Sequence, residues 1–191
     1  MKKISIFVLL VVSMLAASCS FAFDPITLKD GKTGNTAILY PTVKEEDKGL
    51  LFYSNPTFGY CVNIPDVFTK VVLIPDNGDG IALTTKDGKA AFRVSGGHVI
   101  DDDMLKESYD SALQSIGGKD EAVFFDIGND SWELTWWKGD TFHSRKFLMR
   151  GEEAWCDCEI SYKSIMSEEV YDPFDEIASR AIKSIAFPEG Q

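Results

Sequence analysis

The sequence predicts an α+β domain in which a mostly antiparallel sheet packs against two helices. Short runs of β-forming residues recur from Leu51 onward and are separated by turn dipeptides, which is typical of a sheet built from hairpins. Two segments, about 103–116 and 173–186, instead carry apolar residues at helical spacing. Several predicted strands are apolar on both sides, which favours a sheet covered on both faces.

The first half of the chain contains three predicted strands: 58–64, 81–85 and 90–94. Apolar residues alternate with small or polar ones in the first of them, which ends at Pro65. A turn at 77–80 precedes the second strand, and Asp87-Gly88 predicts a tight hairpin into the third. Residues 23–50 are polar and rich in Gly, Lys and acids, so we expect a loosely packed lead-in with one short strand.

Both helices have recognisable ends. Three aspartates at 101–103 place negative charge at the start of the first helix, and the glycine pair 117–118 ends it. The second helix is predicted to begin after Asp172, with Pro173 in its first turn, and to stop before Pro188.

Between the helices lie three or four further predicted strands: 122–127, 131–137, 141–149 and 154–162. Their connections are short and contain glycine, which predicts an antiparallel meander. Ser95-Gly96-Gly97-His98 is interpreted as a turn between a strand and the first helix.

The N-terminus has the three parts of a secretory signal. Two lysines at 2–3 precede an apolar run over 4–17, and small residues follow. The apolar run is shorter than the roughly 20 residues of a membrane span. We therefore expect residues 1–22 to be removed and the protein to be exported to the periplasm or the exterior.

Two processing sites compete at the end of this signal. Cleavage after Ala22 suits the small residues there and leaves Phe23 first. The alternative is lipidation of Cys19, which follows a stretch similar to a bacterial lipobox. That stretch lacks the usual aliphatic residue three places before the cysteine, because Leu15 lies one place too early. Soluble release is therefore favoured over a lipid anchor.

The mature chain is strongly acidic. Residues 1–22 contain two lysines and no acid, so 17 Lys and Arg remain against 30 Asp and Glu, a formal charge of −13. Such a surface repels nucleic acid and anionic lipid, so neither is an expected partner. Contact with a membrane is expected only if Cys19 is lipidated.

Three cysteines remain after cleavage, and they allow at most one internal disulfide. Cys156 and Cys158 share one face of a strand and are poorly placed to pair with each other, so they are interpreted as small core residues. A bridge from Cys61 to Cys156 or Cys158 is compatible with an oxidising compartment. A zinc or redox site is the alternative, with His98 and His143 as the available nitrogen donors.

Tryptophans concentrate in the predicted meander. Trp132 and Trp136 share a strand face with Leu134, which indicates core. Trp137 and Trp155 lie on the more polar faces of their strands, where they either mark an interaction surface or pack beneath a helix.

No set of residues forms a specific catalytic, cofactor-binding or metal-binding pattern. A hydrolase would need His98 or His143 as its base, but the sequence contains no Gly-x-Ser-x-Gly motif. The acidic turn at 76–80 resembles a calcium loop in composition but not in ligand spacing. We therefore expect no catalytic residue, no metal and no cofactor.

Residues 53–65 (YSNPTFGYCVNIP) resemble the opening of PsbP-like domains, which have an aromatic residue, an Asn and Phe-Gly-aromatic before a strand that ends in Pro. The resemblance would extend over residues 51–187 as a single domain. It implies an α/β/α sandwich with a central antiparallel sheet. Plant and cyanobacterial members are extrinsic subunits of the oxygen-evolving photosystem, a eukaryotic relative binds a small GTPase, and many bacterial members are exported proteins of unknown role.

Together these observations predict an exported, non-enzymatic accessory or binding domain of the cell envelope, whose partner is an envelope protein or a small ligand. The alternative is an envelope hydrolase or metal-dependent enzyme that uses His143 with the Cys156 and Cys158 pair.

Overall fold

The computed structural model describes residues 24–163 and 173–188. The predicted signal peptide, its cleavage site at Ala22 and Phe23, the alternative lipidation site Cys19 and the predicted helix cap Asp172 lie outside these residues. None of the helices in the described ranges combines the length and the apolar character that a membrane crossing requires.

The described chain forms two β-sheets and two α-helices. The strands of the first sheet are β1 (Ile26–Lys29), β2 (Thr36–Pro41), β3 (Leu50–Ser54) and β4 (Cys61–Pro65). The strands of the second sheet are β5 (Lys70–Leu73), β6 (Gly80–Thr84), β7 (Ala90–His98), β8 (Ala122–Ile127), β9 (Ser131–Lys138), β10 (Thr141–Arg150) and β11 (Ala154–Lys163). The helices are α1 (Met104–Ile116), between β7 and β8, and α2 (Pro173–Lys183), after β11.

Both sheets are antiparallel. The first has the order β1-β2-β3-β4, and the second has the order β5-β6-β7-β11-β10-β9-β8. Strands β8 to β11 form the meander that their short connections predict, which confirms that expectation. The last strand of the meander then pairs with β7, which precedes α1 in the chain.

The predicted α/β/α sandwich, with a central sheet between helices, is wrong. The inward side chains of β2, β3 and β4 share one core with those of β6, β7 and β11, so the four-stranded sheet covers one face of the seven-stranded sheet. Helix α2 packs on that same side, against β4, β10 and β11. Helix α1 packs on the opposite face, mainly against β9. A second sheet therefore occupies much of the layer that the sandwich assigns to a helix.

The N-terminal segment is more ordered than its composition indicates. Two strands form where one short strand was expected, and Leu39 in β2 is fully buried. The buried carboxylate of Asp30 accepts hydrogen bonds from the amides of Lys32 (2.7 Å) and Ile74 (2.9 Å), which ties the segment to residues near the second sheet. A strand with one wet face needs an apolar residue only at every second position, so a polar composition does not preclude it.

The expected turn at 95–98 is also wrong, because these residues continue β7 to His98. A Cβ at Gly96 would lie 2.6 Å from the ring of Tyr60, and one at Gly97 would lie 2.8 Å from the ring of Trp155. The two glycines therefore leave room for aromatic rings on the two faces of the strand, and they do not form a turn.

Helix α1 agrees closely with the predicted 103–116 and ends at Gly117, whose φ of 101° is left-handed. Helix α2 ends at Lys183, three residues before the predicted 186. The chain there leaves the helix because Ala186 forms a two-way backbone bridge with Cys61 in β4 (2.8 and 3.0 Å).

Candidate functional site

Five ionisable side chains meet on the face of the seven-stranded sheet that α1 covers. Glu159 in β11 lies opposite Arg93 in β7 and also opposite Arg145 in β10. Because side chains two residues apart share a face, His143 and Asp157 lie on the same side. We call this group the charged cluster: Arg93, His143, Arg145, Asp157 and Glu159.

The carboxylate of Glu159 lies within hydrogen-bond distance of two basic side chains of the charged cluster. Arg93 donates from Nε (3.1 Å) and Nη2 (2.8 Å) to Oε2, and His143 Nδ1 lies 3.2 Å from Oε1. The side chain of Arg93 is about half exposed (53%), whereas those of His143 and Glu159 are largely shielded. The carboxylate therefore links β7 to β10 across β11.

Arg145 and Asp157 form a second pair, deeper beneath the helix. The Arg145 Nε lies 2.9 and 3.1 Å from the two carboxylate oxygens of Asp157, and Nη2 also donates to Oδ2. The guanidinium carbon lies 5.3 Å from the ring centroid of Trp132. Burial lowers the pKa of Arg145, but its hydrogen bonds to Asp157 and the charges of Asp157 and Glu159 outweigh that effect, so the pKa is raised overall. Arg145 is therefore a permanent cation in this site.

Aromatic rings line the sheet beside the charged cluster. Trp136 stacks on the His143 imidazole, with ring centroids 4.8 Å apart and planes 11° from parallel. Beyond Arg145, the rings of Trp132 and Phe147 stack at 5.8 Å, and those of Phe147 and Trp155 at 5.7 Å. These aromatic rings form an apolar surface beside the charged cluster, and their mutual stacking fixes their orientations.

A pocket of about 400 Å³ opens between the C-terminal half of α1 and this part of the sheet. Its volume falls within the range of small-molecule sites. The lining residues are Arg93, Ala112, Ser115, Ile116, Trp136, Trp137, Lys138, His143, Arg145 and Glu159. Ala112 is buried and small, which lets the helix approach the sheet, and the Ser115 hydroxyl donates to the Ala112 carbonyl (2.7 Å).

The pocket carries an excess of positive charge. Arg93, Lys138 and Arg145 line it against a single acid, Glu159, and counting Asp157 beneath Arg145 still leaves one positive charge in excess. This excess contrasts with the whole chain, which has 30 acidic and 19 basic residues. Among the residues that the structure describes, Nη1 of both arginines has no hydrogen-bond partner. The site therefore has donors available to an anion.

The structure does not bring His143 together with the cysteine pair. His143 faces α1, whereas Cys156 and Cys158 are fully buried on the other face of the sheet, in the core between the two sheets. Burial raises the pKa of both thiols well above the ordinary value of 9.0, so they stay protonated. Within residues 24–163 and 173–188, no three His, Cys, Asp or Glu side chains are grouped as metal ligands.

All three cysteines of the described chain are free thiols. Cys61 alternates in sequence with the buried Tyr60 and Val62, so its side chain lies on the other face of β4 and is half-buried. The pairing of Cys61 with Cys156 or Cys158 stays a prediction.

Trp137 and Trp155, the predicted interaction surface, lie on opposite faces of the seven-stranded sheet. Trp137 packs edge-on against Phe142 (5.1 Å), which faces α2, whereas Trp155 packs against Phe147 and donates from Nε1 to the His98 carbonyl (3.1 Å). The two rings therefore do not form one surface, and both are partly buried.

Four residues of the charged cluster were not singled out from the sequence: Arg93, Arg145, Asp157 and Glu159. A signal for three of them exists, because β10 and β11 each place ionisable residues two apart on strands whose other face is core. The hairpin turn at 151–153 then sets Arg145 opposite Glu159. Arg93 has no comparable local signal, since β7 and β11 are far apart in sequence.

Comparison with known proteins finds no family model that matches the chain and no curated protein with significant similarity to it. The resemblance of residues 53–65 to PsbP-like domains stays a prediction.

Proposed function

We propose that this protein is an exported, non-enzymatic binding domain that holds a small organic anion in the pocket beneath α1. The single observation that carries the proposal is the pair of arginines in this pocket, Arg93 and Arg145, whose Nη1 groups have no hydrogen-bond partner among the described residues. An acidic head group would accept hydrogen bonds from Arg93 and Arg145, and an apolar body would lie against Trp136 and Ile116.

A binding role is supported over catalysis by how the titratable groups are engaged. His143 contacts Glu159 and stacks on Trp136, and the Ser115 hydroxyl of the pocket donates to its own helix backbone. A nucleophilic hydrolase needs a hydroxyl or thiol within hydrogen-bond reach of its base. Among the described residues, the alternative enzyme based on His143 and the Cys156 and Cys158 pair lacks that contact, since a sheet separates its parts.

Export is supported by the signal-like residues 1–22, and the proposed setting is the periplasm or the exterior. The acidic surface favours a small ligand or an envelope protein over nucleic acid.

Calorimetric titration of the mature protein with benzoate and with its neutral analogue benzamide tests the proposal. We expect benzoate to bind and benzamide not to, and Arg93→Gln to weaken benzoate binding about tenfold, which corresponds to about 1.4 kcal/mol for a charge-assisted hydrogen bond. Lys48→Gln is the matched control, because it removes the same charge from an exposed pair with Glu45 outside the pocket. Equal binding of the two probes, or equal losses in the two variants, would overturn the proposal.

A further inference from the structure

Strand β8 exposes an unusual amount of apolar surface for the edge of a sheet. It is the last strand of the seven-stranded sheet, and four of its six side chains are large, apolar and exposed. They are Val123 (62%), Phe124 (49%), Phe125 (38%) and Ile127 (47%). Natural edge strands are usually guarded by Lys, by Pro, by short length or by a β-bulge. This strand has neither Lys nor Pro, and Asp126 is its one charged residue. Its one register irregularity lies between Ala122 and Phe124, so residues 124–127 pair regularly with β9.

The exposed side chains lie on both faces of the sheet edge. Phe125 and Ile127 are paired with the buried Leu134 and Trp132 of β9 and so point to the α1 side. Phe124 is paired with Thr135 and points to the other side. A strand added at this edge would therefore meet apolar rings above and below, besides the outward backbone groups of β8.

The charges around β8 are almost all negative. Asp120 and Glu121 precede the strand, Asp126 lies within it and Asp130 follows it. Lys119 is the one Lys or Arg among residues 119–131, and its ammonium lies 4.0 Å from the centroid of the Phe125 ring. The edge is thus complementary to positive charge.

A second observation favours a cationic partner at this edge. Asp126 lies directly opposite Glu133 of β9 in the antiparallel register, and like charges in that relation destabilise a sheet. A basic side chain arriving beside Asp126 would relieve this repulsion.

From these observations we infer that the β8 edge binds an extended segment of another protein, one that alternates apolar and basic residues, as an eighth strand of the sheet. No other strand in residues 24–163 and 173–188 pairs with the outer edge of β8, so its outward backbone groups can supply hydrogen bonds. The exposed rings supply apolar contact, and the acids select positive charge. A second copy of this chain is a poor occupant, because pairing two β8 edges would bring the same acids together in a protein that carries a formal charge of −13 when mature. The inference does not depend on ligand binding in the α1 pocket.

A labelled synthetic peptide of four Lys-Val repeats probes this edge of the mature protein, with a peptide of four Glu-Val repeats as the charge-reversed probe. We expect fluorescence anisotropy to show binding of the Lys-Val peptide only. Hydrogen exchange should slow at the amides of residues 122–127. Higher salt should weaken binding, since screening acts on exposed charges.

Matched variants at the two sheet edges locate the contact. Val123→Lys places a guarding charge on β8, and Val72→Lys does the same on β5, the opposite edge, where the side chain is also half-exposed (51%). We expect at least a tenfold loss of affinity for the first variant and less than a twofold change for the second. Equal affinity for both peptides, protection outside β8, or self-association through β8 in sedimentation experiments would overturn the inference.

Discussion

At the scale of single residues, Glu159 sets the charge balance of the pocket. Its carboxylate engages Arg93 and His143, so it competes with any anion for the same donors. We expect Glu159→Gln, which keeps the shape and removes the charge, to tighten benzoate binding severalfold in calorimetric titration.

The matched control is Glu153→Gln, which removes an acid that pairs with Arg150 at the β10–β11 turn, away from the pocket. Its effect on benzoate affinity should be within twofold. A loss of affinity in Glu159→Gln would mean that this carboxylate positions the basic groups more than it competes with the ligand.

The structural role of a single residue can be predicted from the sequence when the residues that it contacts are close in sequence. The prediction fails when those residues are distant in sequence. The alternation over Ala90, Phe92 and Val94 correctly indicates a buried face. Gly96 and Gly97 look like a turn because nothing nearby in sequence shows that the rings of Tyr60 and Trp155 will lie over them. A glycine that makes room for a distant ring is indistinguishable in sequence from one that permits a bend.

At the scale of elements, β2 decides whether residues 24–50 are part of the fold. The Leu39 side chain is fully buried in the core between the two sheets. Its neighbour Ile38 points to the other face, where its side chain is 45% exposed to solvent. We expect Leu39→Ala to lower the free energy of unfolding by about 3 kcal/mol, the usual cost of a buried Leu truncation.

Ile38→Ala is the control, and its effect in the same urea unfolding experiment should be about 0.5 kcal/mol or less. Near-equal effects of the two truncations would mean that β1 and β2 do not contribute to the cooperative core.

Element boundaries were predictable wherever a local stop signal exists. Gly117 ends α1 as expected, and the meander from β8 to β11 follows from its short glycine-containing turns. The division of strands between two sheets was not predictable, because alternation reports that a strand has a buried face but not what covers it. The covering layer could therefore be assigned to a helix when it is another sheet.

At the scale of the whole molecule, the seven-stranded sheet separates two different environments. One face contributes to the apolar core with the four-stranded sheet and α2, and the other carries the charged cluster under α1. Alternation along β11 produces this separation directly, with Cys156, Cys158 and Ile160 on one side and Asp157 and Glu159 on the other. The same strand thus contributes to stability through one face and to the proposed binding site through the other.

The apolar side of that sheet makes global stability depend on pH in the alkaline range. Burial raises the pKa of the Cys156 and Cys158 thiols, so the folded protein keeps two protons that the unfolded chain releases above about pH 9. Above about pH 9, unfolding therefore releases protons. The contribution of the two thiols to the free energy of unfolding is complete below pH 9 and declines as the pH rises further. The decline is at most about 1.4 kcal/mol per pH unit for each thiol.

Urea unfolding at intervals from pH 7 to pH 10 measures this decline. We expect a nearly constant contribution from the thiols up to pH 8 and a fall in the free energy of unfolding above pH 9. The double variant Cys156→Ala with Cys158→Ala is less stable at neutral pH because it leaves cavities, but its slope between pH 9 and pH 10 should be smaller. An unchanged slope would show that the two sheets do not hold these thiols protonated, since only the loss of the titrating groups can flatten the curve.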